Sequence, residues 1–146
     1  MEDRYLSKAK TVTDGTWVQG YYVYDYGRDI HYIFANEIAC PNCINDRRRD
    51  FSLQDYEVDP STICQCTGLK DKNGKLIFEN DIVDRKEPYP EIVKYNDGDW
   101  TLDYSYACNM ETGRNYCNLG FYVLERKCVD VIGNIFDNKE LLESEG

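Results

Sequence analysis

Cys40-Pro-Asn-Cys43 is the thiol pair best spaced for chemistry in this chain of 146 residues. Two thiolates two residues apart can share one Zn²⁺, and Cys64 and Cys66, after a gap of 20 residues, can complete a tetrahedral set. On a strand, Cys64 and Cys66 face the same way, as a shared metal requires. A second pair spaced by a single residue is unusual for zinc, and three further Cys show that thiols are used freely as small core residues. The expectation is therefore no cofactor, with a structural zinc at Cys40, Cys43, Cys64 and Cys66 as the alternative. Thioredoxin-like redox chemistry is disfavoured, because no βαβ pattern surrounds the motif.

Arg47, Arg48 and Arg49 can meet phosphate or carboxylate. Asp46 and Asp50 bracket them, so local neutralisation in a solvated loop is the stronger reading. His31 is the single His, in Ile30-His-Tyr-Ile33, and the sequence names no nucleophile or carboxylate to work with it. A place on the polar side of a strand suits it better. Asp and Glu are scattered without metal-ligand spacing and read as solvated surface. Lys70-Asp-Lys-Asn-Gly-Lys75 lacks the phosphate-loop pattern and no helix follows it, so it reads as a turn.

The tyrosines carry more weight. Tyr21, Tyr22, Tyr24 and Tyr26 form one cluster, and Tyr95, Tyr104 and Tyr106 another. Neighbours on a strand face opposite ways, so part of each cluster lies outside if the rest is core. Half-exposed Tyr suits binding hot spots, but aromatic ladders that only stiffen a sheet are the slightly stronger reading. Tyr22, Tyr24, Tyr26, Tyr104 and Tyr106, with Arg47, Arg48 and Arg49, are the candidate binding residues.

The bulk properties bound what such residues can serve. With 42% hydrophobic and 30% charged residues the chain is globular in composition, and its length allows a core without disulfides. Residues 1–66 hold seven Lys/Arg against eleven Asp/Glu, and residues 67–146 ten against sixteen. Neither half is basic, so the electrostatic footprint of a nucleic-acid binder is missing. The overall charge of −10 repels polyanions and anionic membrane, and favours a basic protein surface. The N-terminus lacks the apolar core of a signal peptide, and no apolar run spans a bilayer. Seven Cys, an odd count, point to reduced thiols in a bacterial cytoplasm.

Short strands must position these residues. Asp14-Gly15 opens a strand over about Trp17–Tyr24, Asp25–Asp29 reads as a hairpin turn, and Ile30–Ala35 as the return strand. Asn36–Asp50 is a loop or insertion. Phe51–Val58 is strand or short helix, stopped by Asp59-Pro60. Ser61–Cys66 reads as a strand leading to the Asn73-Gly74 turn. Five further strands follow: Asp81–Arg85, Glu91–Tyr95, Trp100–Tyr106, Gly120–Glu125 and Val129–Phe136, two of them joined by Asp97-Gly98. Asp137–Glu143 offers a short terminal helix. The expected fold is mostly β: an N-terminal β lobe within residues 1–66, carrying the Cys-containing loop, and a small SH3-like barrel with its terminal helix in 67–146. One compact unit is the alternative.

Three blocks carry a family resemblance. The first is Asp14-Gly-Thr-Trp-Val-Gln-Gly-Tyr-Tyr22. The second runs from Val58-Asp-Pro-Ser-Thr-Ile63 through Thr67-Gly-Leu-Lys-Asp-Lys-Asn-Gly-Lys75 to Asp81-Ile-Val83, and the third is Val131-Ile-Gly-Asn-Ile-Phe136 with Leu141-Leu142. In this order they resemble the YopX family of small proteins encoded by bacteriophages and prophages, a family with no settled activity. Asn80 stands where relatives usually have Gly; Asn is the non-Gly residue that best tolerates left-handed geometry. Cys64 and Cys66 stand where relatives often carry Gly and an aromatic.

The resemblance implies a phage setting, and with the acidic, Tyr-bearing β surface it leads to one expectation: a non-enzymatic accessory protein that binds a host or phage protein, and inhibits a host protein such as a defence enzyme. Two alternatives stand beside it. One is an oligomeric module that sequesters a nucleotide signal; the other is a nucleic-acid-binding barrel, which the charge disfavours. Exposed strand edges predict homo-oligomers. Catalysis ranks last for want of a constellation of reacting groups.

Overall fold

In the computed structural model residues 3–35, 53–107 and 116–143 are described. Arg47, Arg48, Arg49, Cys40 and Cys43 lie outside them. The protein is mostly β, with antiparallel pairing throughout, and divides into a unit of residues 5–65 and a unit formed by residues 1–4 and 66–146.

In the first unit, β1 (Ser7–Lys10) is flanked by β2 (Trp17–Asp25) and by the opening residues of β4 (Cys64–Lys70). β2 turns back into β3 (Ile30–Ala35) in a register that runs from Gly20 opposite Ala35 to Asp25 opposite Ile30. The Asp25 carboxylate accepts hydrogen bonds from the Gly27 and Arg28 N–H groups, 3.0 and 3.3 Å away. Side-chain capping of this kind is why Asp opens so many turns. Ala9, Ile33 and Val58 form the core, with Val18 and Ile63 packed against it. Val58 reaches that core because Leu53–Tyr56 forms a 3₁₀ turn and Glu57 and Val58 then bridge to Tyr32 and Thr11.

The strand expected over Ser61–Cys66 begins later, at Cys64. Pro60 stands at the first position of a 3₁₀ turn, Pro60–Thr62, and the Asp59 side chain accepts from the Ser61 N–H. A capped turn with Pro at its start is a stable local structure, so strand geometry waits until it ends.

In the second unit the remainder of β4 pairs with β5 (Leu76–Phe78) across the Asp71–Lys75 turn. A five-stranded sheet follows in the order β10-β6-β7-β8-β9, formed by β6 (Asp81–Asp84), β7 (Glu91–Asn96), β8 (Asp99–Asp103), β9 (Tyr116–Asn118) and β10 (Asp130–Asn134). At the β7–β8 turn Asp97 and Gly98 both take positive φ, +51° and +86°. That conformation twists a two-residue hairpin in the same hand as its strands. Ile77, Val83, Val93, Leu102, Leu119 and Val129 form the core, each 1% exposed or less.

Four expectations are corrected here. The sheet is open: among the described residues β9 pairs with β8 and β10 with β6, and no ladder joins β9 to β10 to close an SH3-like barrel. Residues 121–125 form a π-helical turn instead of a strand, because the Asn118 side chain accepts from the Phe121 N–H and the chain coils so that Arg126 N–H reaches the Phe121 carbonyl. Trp100–Tyr106 is a strand only to Asp103, and the terminal helix is one 3₁₀ turn, Lys139–Leu142.

Asn80 takes φ +68°, the left-handed geometry the sequence required, while its N–H donates to the Val93 carbonyl and its carbonyl accepts from Ile135 N–H. Asn80→Gly is therefore expected to leave unfolding free energy within about 0.5 kcal/mol, and Asn80→Val to cost about 1–2 kcal/mol. Urea denaturation of the two variants beside the wild type measures the difference.

Candidate functional site

The β2–β3 hairpin carries the clearest surface feature. Directly opposed strand residues share a face, so Tyr24 and His31, and Tyr22 and Ile33, lie on one side. Near β1 that side is core; towards the turn it becomes an aromatic patch. The His31 ring stacks on Tyr24 at 4.5 Å and on Tyr22 at 5.8 Å, and Tyr26 meets Tyr24 edge-on at 4.5 Å. Tyr22 Oη lies 2.5 Å from His31 Nδ1, and Tyr24 Oη donates to Asp29 Oδ1. Each aromatic pair adds about 0.5–1.5 kcal/mol beyond its burial, so the cluster is held before anything binds it.

The patch nevertheless faces water. Tyr22 is 40% exposed, Val23 on the opposite face 44% and Tyr26 87%. Partial burial, and then the neighbouring Tyr26, hold the Tyr22 phenol above its ordinary value. The hydrogen bond to Asp29 does the same for Tyr24, which is the protonated donor. Both phenols are thus neutral at physiological pH. The opposite face carries Trp17 beneath the ammonium groups of Lys8 and Lys10, 5.0 and 5.5 Å from its ring.

Tyr104 and Tyr106 belong to the second unit, beyond the end of β8. Tyr104 packs on Tyr89 with centroids 5.6 Å apart, and Tyr106 donates to the Pro90 carbonyl at 2.6 Å. They hold the Glu87–Pro90 loop as much as they present a surface, although Tyr106 is 38% exposed. Tyr95, 56% exposed, meets Trp100 edge-on at 5.2 Å on the β7–β8 hairpin.

Cys64 and Cys66 are both fully buried. The Cys64 thiol donates to the Thr62 carbonyl at 3.3 Å and Cys66 Sγ accepts from the Gly68 N–H at 3.4 Å. Among the described residues no three of His, Cys, Asp and Glu gather as metal ligands.

A cluster that sequence reasoning missed lies at one end of the second core. Glu91 is completely buried, with Oε1 accepting from Arg85 Nε at 2.5 Å and Oε2 without a hydrogen-bond partner. The Arg85 guanidinium also reaches Glu87 Oε1 at 2.9 Å and Cys117 Sγ at 3.6 Å, and lies 4.2 Å from the Tyr122 ring centroid. Burial raises the Glu91 carboxyl, against the Arg85 bond that lowers it, with Glu87 and Asp103 adding to the rise. Several titratable groups converge here around a carboxylate that is 0% exposed among the described residues. One signal was available in the sequence: Glu91 is in phase with Val93 on a strand whose core face is otherwise apolar.

No described helix is long and apolar enough to cross a membrane. A family model described as YopX protein matches residues 18–143. A crystal structure of a protein from Enterococcus faecalis is similar at a TM-score of 0.54 and 23% identity, covering 94% of this chain and 96% of that one. At that identity the likeness speaks for the fold alone. None of the curated proteins matches.

Proposed function

The chain belongs to the YopX family, and on that premise we propose that it is a phage-encoded, non-enzymatic accessory protein that binds and inhibits a host protein. The observation that carries this reading is the exposed but fixed aromatic patch of Tyr22, Tyr24, Tyr26 and His31. Binding surfaces lose affinity when long side chains must be ordered, roughly 0.5–1.5 kcal/mol for each. Stacked Tyr side chains have already met that cost. Asp25 and Asp29, with Arg28 between them, leave the turn net negative, so the complement of the patch is a basic surface with an apolar centre.

The test is affinity capture from host lysate with wild type and a Tyr22→Ala/Tyr26→Ala variant. Both side chains are exposed, so the variant keeps its fold. One partner is expected, recovered less at high salt, and about 30-fold less tightly held by the variant if Tyr26 contributes the roughly 2 kcal/mol of a hot spot. Equal retention by both proteins refutes the reading. The nucleotide-sequestering alternative predicts a rise in Tm with a nucleotide in a thermal-shift screen, and no lysate partner.

A further inference from the structure

A concavity of about 520 Å³ lies in the second unit between the Gly68–Lys72 segment and residues 123–127. Its floor is aliphatic: Leu69 and Val123 pack on the core beneath, and Leu124 stands 63% exposed at its side. Lys70, Lys72 and Lys127 line it, all exposed. The one carboxylate in the lining, Asp71, is turned away. Its Oδ1 accepts from the Asn73 and Lys75 N–H groups at 2.9 Å each, and its Oδ2 from Val131 N–H at 3.1 Å, leaving it 6% exposed. Three ammonium groups therefore share an apolar hollow in a protein whose net charge is −10. The backbone fixes the hollow: Lys72 N–H donates to the Val129 carbonyl at 2.9 Å, and Lys127 sits in left-handed geometry at φ +51°.

We propose that this concavity binds an acidic peptide segment of a partner protein, with one aliphatic side chain on the Leu69–Val123–Leu124 floor and flanking carboxylates on Lys70, Lys72 and Lys127. Charge complementarity selects an anion in a molecule that otherwise repels anions. The floor selects among anions. Among the described residues no aromatic ring lines the hollow to stack a base, and three separate lysines give point charges without the paired fork that arginine offers a phosphate. The volume lies within the range of pockets that hold small ligands or single side chains with their flanks. This site and the tyrosine patch lie in different units of the chain and share no residue.

Fluorescence anisotropy with a labelled peptide Glu-Glu-Leu-Leu-Glu-Glu tests it, beside Glu-Glu-Ser-Ser-Glu-Glu, Lys-Lys-Leu-Leu-Lys-Lys and unlabelled tripolyphosphate as competitor. The Leu-bearing acidic peptide is expected to bind, at least about tenfold more tightly than the Ser-bearing one, and to weaken about tenfold or more in Lys127→Glu and again in Lys70→Glu. Both substitutions are at exposed positions, and circular dichroism confirms that the variants fold. Absence of binding overturns the proposal, as does affinity indifferent to Lys127→Glu. Equal binding of the Ser peptide, or displacement by tripolyphosphate at the peptide's own concentration, reassigns the hollow to simple anions. A wild-type dimer that Lys127→Glu dissolves reassigns it to a second copy of the chain.

Discussion

Replacing Arg85 by Met is expected to destabilise the protein by about 3–5 kcal/mol, because it leaves Glu91 buried with no cation to face. Glu91 is 0% exposed and one of its oxygens already lacks a partner. Glu91→Gln is expected to change stability by less than about 1 kcal/mol, since Arg85 keeps Glu87 and the Tyr122 ring while the cost of burying a charge disappears. The double variant Arg85→Met/Glu91→Leu should recover most of the loss, as apolar replacement of a buried pair often does. Urea denaturation of the wild type, Arg85→Met, a Glu91→Leu single variant and the double variant completes the cycle, and simple additivity of the two changes would show that the pair is not coupled.

The pH dependence has a definite sign. Burial raises the Glu91 carboxyl in the folded state, so between its ordinary value of 4.5 and its folded value the native protein holds more protons than the unfolded chain. Stability therefore falls as pH rises through that window. Glu91→Gln should flatten this slope.

Asp71→Ala is the second large effect, expected to cost about 3 kcal/mol. Burial works to raise the Asp71 carboxyl, but N–H donors from Val131, Lys75 and Asn73, together with the Lys75 charge, outweigh it and hold the group below its ordinary value. Two of these bonds close the turn, and the third ties that turn to β10, 60 residues away in sequence. Truncation leaves three N–H groups to find other partners. Because the folded value is depressed, the Asp71 contribution is complete above the unfolded value near 3.8 and is lost as pH falls through the folded value. Thermal unfolding at pH 7 and pH 3 checks this: the gap in Tm between wild type and Asp71→Ala should narrow at the lower pH.

Asp71 also explains why Thr67–Lys75 reads so distinctly. That segment was legible as a turn from Asn73-Gly74, with Gly74 at φ +84°. Its purpose was not, because the third acceptor bond reaches a residue that sequence spacing cannot bring near. The same division runs through the molecule. The β2–β3 and β7–β8 hairpins follow from local turn chemistry and alternation, and both were visible. β1, Ser-Lys-Ala-Lys, has no β-branched residue and forms because β2 and β4 pair with its two edges. Phe121–Glu125 has strand-like composition, but a side-chain acceptor at Asn118 coils it, a local capping effect that overrides propensity. Closure of a barrel depends on edge strands meeting, and alternation within each strand carries no information on that.

The candidate site was legible to a similar depth. Tyr22, Tyr24 and Tyr26 were found from their alternation on one strand, and the turn at Asp25 brings Tyr26 back on to Tyr24. The rings around His31 required the β2–β3 register to be known, since Tyr24 and His31 are opposed only when Asp25 pairs with Ile30. Tyr104 and Tyr106 were grouped with them by type alone. Their contacts to Tyr89 and Pro90 place them on a loop with a structural duty.

Hydrogen exchange of the protein alone and saturated with its captured partner tests most directly whether the aromatic hairpin is the docking face. Slowed exchange concentrated in residues 22–31, with core strands β6 and β8 unchanged, is the predicted footprint. A footprint that spares the hairpin and falls elsewhere contradicts it.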